Sequence, residues 1–367
     1  MPPTVLGIRA LNRATLARQL LLRRARLTPL AALERSFGLQ AQVPKPPFIG
    51  LWSRLESFDR ESLVDLLQHR QVVRGTIMRA TLHLMSASDF VTFRMALQPL
   101  LTAAMQAIAR GRGMTIEADA VAKEAEAYFE KAPRTFEEVR QHLVSRFPKV
   151  NDRALGYAAR MLVPLVMVPT DAPWAFPSIS QFTPAESWIG KRLETGDQRP
   201  ALVRRYLAAF GPATVADVQT WSGLGGLREV VEALRGELRI FHDERKRELF
   251  ELADAERPAE GTPAPVRFLP EYDNLLLAHK DRRRVVADAD KPKVYLPGLR
   301  VAATVLIDGF VAGVWKVELK KRMASLRVSA FARLSKDVRR ELEEEGARLA
   351  RFVEPDAEDV AVQIAAV

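Results

Sequence analysis

The sequence predicts an α+β chain, on three observations. Runs of apolar residues at helical spacing are followed by short β-branched ribbons, and this order recurs three times. Beyond residue 265 the pattern changes to strand-like alternation. Hydrophobic residues fill 48% of 367 positions and charged residues 27%, which is enough apolar material for several packed units.

Residues 11–23 (LNRATLARQLLLR) space leucines for a first helix. Thr28-Pro29 has the form of an N-cap followed by proline at the first helical position, opening a second helix to about Phe37. The segment 43–50 (VPKPPFIG) is expected to be loop, because proline is excluded from helix interiors. A helix over 60–70 and a hairpin over 71–85 (QVVRGTIMRATLHLM) follow. Helices closed by a two-stranded ribbon make the winged-helix pattern. A second round runs through a helix over 117–130, a capped start at Thr135 with Glu138 completing a capping box, a helix from Asn151 to Met161, and two short strands within 161–177 around Asp171. The third round repeats the cap and acid spacing, Thr135…Val139 against Thr214…Val218. It continues with a recognition-type helix over 226–238 and a ribbon over 239–252 whose tip reads HDERKR. A Pro-, Gly- and acid-rich linker covers 253–265. Strands then alternate, with Asp308-Gly309 as a hairpin turn, a helix over about 335–349 and a last strand near 359–366, so a β-barrel-like C-terminal domain is expected. The expected units are 1–98, 99–195 and 196–255 for three tandem winged helices, and 266–367 for the C-terminal domain.

There is no cysteine, which removes disulfides, thiolate zinc sites and a thiol nucleophile. No apolar run is long enough for a transmembrane helix and no secretory signal opens the chain, so a cytoplasmic protein without a membrane partner is expected. The formal net charge of +10 points to a polyanionic partner. The charge is clustered: seven arginines against one acid in the first 35 residues, then Arg245-Lys246-Arg247, then Lys280 with Arg282, Arg283 and Arg284, then Lys320-Lys321-Arg322. Each cluster could equally be a solvated surface.

Phosphate loops, G-x-G-x-x-G, H-E-x-x-H and G-x-S-x-G elbows are all missing. The five histidines have no metal-pair spacing, so neither a metal nor a cofactor is expected. One short element stands out: Gln40-Ala41-Gln42, at a helix end running into the proline segment. Taken alone it is a polar helix end.

Four blocks, LQAQVPKPPFIGLWSRL, VVRGTIMRATLHL, FLPEYDNLLLAHKDR and VLIDGFVAGVWK, resemble in order the blocks of the bacterial AlkZ-like DNA glycosylases, a superfamily also described as winged-helix DNA-binding proteins. The resemblance implies a C-shaped arrangement of three winged helices and a β-barrel around a concave DNA-binding surface. It implies a monofunctional enzyme, working as a monomer near the nucleoid, on double-stranded DNA carrying N7-alkylated guanine. Bulky natural-product adducts and interstrand crosslinks are included. The family's Gln-apolar-Gln catalytic motif falls on Gln40 and Gln42; a sister branch has Asp at the second position. The chemistry is coherent. A guanine alkylated at N7 is already cationic and leaves without protonation, so amides that orient a water and stabilise an oxocarbenium-like sugar suffice.

Arg79, Thr81 and His83 alternate along an expected strand and so share a face, which makes them candidate DNA contacts; for His83 a packed structural role is the alternative. Arg245, Lys246, Arg247, Lys280, Arg282, Arg283 and Arg284 are candidate phosphate contacts, which position a duplex without reading sequence. Trp52 is expected in the core. The competing reading is a winged-helix transcription regulator without catalytic activity, and a third is a protein-binding scaffold.

Overall fold

The structure is a computed structural model that describes residues 4–111 and 117–366. It is α+β, and local sequence chemistry accounts for most element ends. Thr28 caps Pro29–Arg35 by accepting from Ala31 N. Asp59 caps Arg60–Gln68 and Ser335 caps Lys336–Val353 in the same way. Both expected capping boxes are formed, Thr135 with Glu138 on Phe136–Arg146 and Thr214 with Asp217 on Val215–Ser222.

The segment expected as loop over 43–50 is instead the start of a helix, Pro46–Arg54. Pro46 and Pro47 occupy its first turn, where no backbone donor is needed and the fixed φ is already helical. The first helix lies at Ile8–Arg18, earlier than its leucine pattern suggested. Of the strand alternation expected beyond residue 265, the first strand is short, Arg267–Leu269, and is followed by a helical turn, Asn274–Leu277.

The first and third ribbons lie where expected; the second pairs Leu165–Met167 with Gln181–Pro184, beyond the expected 161–177, and it is not separate from the first. Val72–Thr76 and Leu82–Ser86 join Leu165–Met167 and Gln181–Pro184 in one six-stranded sheet, with Leu39–Gln40 and Arg134–Thr135 at its edges. The junction is the pair Gly75↔Val166. A Cβ at Gly75 would lie 2.6 Å from the Phe90 ring and 2.9 Å from Leu165 O, so only glycine lets the two ribbons meet. One apolar core runs under this sheet from Leu20 through Leu101 and Phe129 to Phe182. The third ribbon, Leu238–Asp243 with Glu248–Leu252, is extended by a parallel strand, Val5–Leu6.

The C-terminal strands do not close into a barrel. They form an open sheet in the order Arg267–Leu269, Thr304–Ile307, Phe310–Lys320, Met323–Ala330, Asp359–Ala366. The last strand pairs parallel to its neighbour after the crossover helix Lys336–Val353, which covers one face through Leu342, Leu349 and Val353. A helix on the face takes the place of closure, a difference that alternation of side chains cannot reveal. Asp308 and Gly309 form the expected hairpin turn, both with positive φ (48° and 82°). Ile49 and Ser53 of Pro46–Arg54 reach into this sheet, Ile49 in its core and Ser53 hydrogen-bonded to Phe268 O.

The arginine-rich first segment is a fastener. Arg9 and Arg13 both bind Asp308, Arg18 binds the fully buried Glu251 of the third ribbon, and Arg24 binds Glu345 of the long C-terminal helix. No helix among the described residues is long and apolar enough to cross a membrane.

Candidate active site

Gln40 lies on the edge strand Leu39–Gln40, paired with His83 across the sheet. The turn after it is held from three sides. Ala41 N donates to Leu82 O at 2.7 Å. Arg74, buried and stacked over the Phe176 ring, donates from Nε to Ala41 O at 2.9 Å and from Nη2 to Gln42 O at 3.4 Å. Asn274 Nδ2 donates to Gly38 O at 2.5 Å. Beside Asn274, Asp273 makes a bidentate pair with Arg54, both distances 2.8 Å and both side chains fully buried. Asn274 therefore holds the segment that leads into the glutamine turn, and Asp273 anchors Arg54 at the end of the helix that follows it.

Arg79 completes the arrangement. Its Nη2 donates to Gln40 Oε1 at 2.8 Å and faces His83 Nε2 at 3.2 Å, and its Nη1 donates to Trp221 O at 2.8 Å. His83 Nδ1 lies 3.1 Å from Thr81 O. A carbonyl only accepts, so Nδ1 carries the hydrogen and Nε2 accepts from Arg79, which fixes the neutral tautomer. Burial, then the Arg79 charge, hold the His83 pKa well below its ordinary value. Burial lowers Arg79 to about 10, with the Arg282 charge acting in the same direction. No acidic group offsets either shift, and among the described residues no carboxylate is bonded to Gln40, Gln42, Arg79 or His83. Gln42 is exposed; its Oε1 accepts weakly from Leu82 N at 3.4 Å.

The expected shared strand face is corrected. Arg79 sits in the turn between the strands with left-handed backbone (φ 53°), as does Ala80 (φ 57°), and the Thr81 hydroxyl is turned back to Met78 O. His83 is on the strand and fully buried, so it supports Arg79 and leaves no surface for DNA. Trp52 packs against Phe352 beneath Arg24.

The two distant basic clusters meet at one carboxylate. Arg247 and Arg283 contact Asp281 at 2.8 and 2.7 Å, and Arg245 lies 3.8 Å from it. Their arginines, with Lys280 and Lys291, line one shallow recess that contains only Asp281 and Asp288 as acids. Lys246 at the ribbon tip and Lys280 are exposed and make no ion pair among the described residues. Arg284 departs from the expectation: it is buried and donates to Thr15 Oγ1 and Pro212 O, so its charge serves the interior. Arg282 lies 4.0 Å over the Tyr295 ring of a hairpin, Tyr295–Leu296 with Arg300–Val301, and its charge opposes that of Arg79. At its tip Leu299 is 94% exposed. The sequence reading missed this hairpin, Arg74 and Asn274. The run Pro297-Gly298 was a turn signal, but nothing in sequence tied any of the three to Gln40. Among the described residues no three metal-ligating side chains gather.

The DNA glycosylase AlkZ-like family model matches residues 33–352, from before the glutamine turn to the end of the C-terminal helix. The chain belongs to the AlkZ-like DNA glycosylase family. A curated relative of this AlkZ-like chain, an interstrand DNA cross-link repair glycosylase from Streptomyces sahachiroi, is 26% identical over 298 residues, 77% of this chain and 80% of that protein. The solved structure of Streptomyces sahachiroi DNA glycosylase AlkZ has the same fold, with a TM-score of 0.82 over 99% of this chain and 100% of that one at 22% identity. This AlkZ-like protein is thus a DNA glycosylase with DNA as its substrate, and the regulator reading is not favoured.

Proposed function

We propose that this enzyme hydrolyses the N-glycosidic bond of N7-alkylguanine in double-stranded DNA, without strand cleavage, using Gln40 and Gln42. The observation that carries the reading is the missing acid: Gln40, Arg79 and His83 form a bonded group with no carboxylate in it. Such a site cannot protonate a leaving base. It is matched to a base that is already cationic, and it spares neutral nucleotides. The exposed Gln42 amide orients the attacking water; Arg79 holds the Gln40 amide, and Arg74 and Asn274 hold the backbone that carries both glutamines. Arg245, Lys246, Arg247, Lys280, Arg282 and Arg283 bind the phosphate backbone. The curated relative's name supports an extension to interstrand crosslinks. The protein works as a monomer on the nucleoid.

The test is single-turnover excision from a duplex with one N7-methylguanine, read as alkali-labile breaks. Gln40→Ala and Gln42→Ala are each expected to slow excision by about 100-fold, the scale of losing one preorganised polar group. Duplex affinity stays within about twofold, because amide truncation removes no phosphate contact. Uracil and hypoxanthine are expected to remain in place. Wild-type rates in both variants move the site elsewhere.

A further inference from the structure

The glutamine pair is not symmetric in the structure. Arg79 carries only donors, so the Gln40 atom 2.8 Å from its Nη2 is necessarily the carbonyl oxygen. Turning the amide over would set an NH2 group against a guanidinium. The Gln40 Nε2 group then faces away from Arg79; it has no acceptor among the described residues, and the residue is 7% exposed. Arg79 itself is not free to follow a flip. Its Nη1 is tied to Trp221 O, and its backbone is held in the left-handed region together with Ala80.

We infer that Gln40 acts as a hydrogen-bond donor to the departing purine, and that Arg79 is the positioning residue that turns its amide to do so. This rests on the proposed role of Gln40 and Gln42 and divides the labour between them. As the bond from C1′ to N9 breaks, its electron pair enters the purine, and the cationic lesion leaves as a neutral base. Electron density rises on the ring nitrogens, N3 among them. A donor aimed there strengthens in the transition state, which is where a hydrogen bond accelerates a reaction. Water bonds to C1′ on the other side of the balance and loses its proton to solvent. The exposed Gln42 carbonyl holds that water.

The inference is tested with duplexes carrying N7-methylguanine or its 3-deaza counterpart, in which a C–H replaces N3. Single-turnover rates are divided by the spontaneous release rate of each base. Wild-type enzyme is expected to lose about 100-fold on the 3-deaza lesion, the effect of one preorganised donor. Gln40→Ala is slow on both lesions and no longer distinguishes them. Gln40→Glu, which keeps oxygens but has no NH2, is as slow as Gln40→Ala. Arg79→Met loses the discrimination, and Arg79→Lys, which keeps a donor, recovers part of it; a fold-only role for Arg79 leaves the ratio unchanged. Equal normalised rates for the wild-type enzyme on both lesions, or a Gln40→Glu variant as fast as wild type, overturn the donor role. A full ratio in Arg79→Met overturns the positioning role. Should Arg79→Met not fold, the wild-type lesion pair and Gln40→Glu still decide. Undiminished Gln40→Ala and Gln42→Ala instead overturn the underlying active-site reading.

Discussion

Around the glutamine turn, Arg74 and Arg79 are buried guanidiniums whose partners are carbonyls and amides, and burial lowers both to about 10. His83 beneath Arg79 and His279 in the interior are shifted in the same sense, His279 to about 3 by burial and then by the Arg284 charge. A histidine whose folded pKa lies below its unfolded value near 6.5 favours the folded state when neutral. That contribution is complete above about pH 6.5 and is lost as pH falls toward the folded values. The melting temperature is therefore expected to drop between pH 7.5 and 5, above the ordinary carboxylate range. A flat profile over that interval would show that both rings charge freely in the fold. Gln40 and Gln42 stood out only through the four-block resemblance, because Gln-Ala-Gln taken alone reads as a polar helix end. Arg74 was not legible, because its role depends on which strand lies beside residues 41 and 42. Arg284 misled, because a charge in a basic run says nothing about whether its side chain points outward.

At the scale of elements, the ribbon tip and the segment around residue 281 are about 35 positions apart in sequence yet share Asp281. Their charges are consequently unequal. Lys246 and Lys280 make no ion pair among the described residues, whereas Arg247 and Arg283 are partly neutralised by Asp281. In a salt titration of duplex binding, Lys246→Gln and Lys280→Gln are each expected to flatten the log–log slope by about 0.9, the value for one lost phosphate contact. Arg247→Gln and Arg283→Gln flatten it less, and Asp281→Asn steepens it. Equal effects from all four cations would mean that Asp281 does not compete with phosphate. The periodicity of helices and ribbons was legible here, since caps and β-branched runs are local signals. The merger of two ribbons into one sheet at Gly75, and the open C-terminal sheet, were not. Strand partners are chosen by tertiary packing, and alternation looks the same in either arrangement.

Across the whole molecule, the Arg54–Asp273 pair joins the helix behind the glutamine turn to the start of the C-terminal part. Removing one member leaves a buried charge alone. Asp273→Leu is expected to cost about 3–5 kcal/mol, and the double variant Arg54→Met with Asp273→Leu distinctly less, because the pair's desolvation is then relieved. Chemical denaturation of the two variants checks this, and equal losses would mean that the pair's charge is not what matters.

Arg9 and Arg13 meet Asp308 some 295 or more positions along the chain. During synthesis at about 5–20 residues per second, the first helix waits roughly 15–60 s for that partner to emerge. Through that interval Arg9 and Arg13 lack their carboxylate on a nascent chain beside ribosomal RNA. Two residues that fasten the finished enzyme are, until then, cations open to other polyanions, and a chain cut short before residue 308 keeps them so.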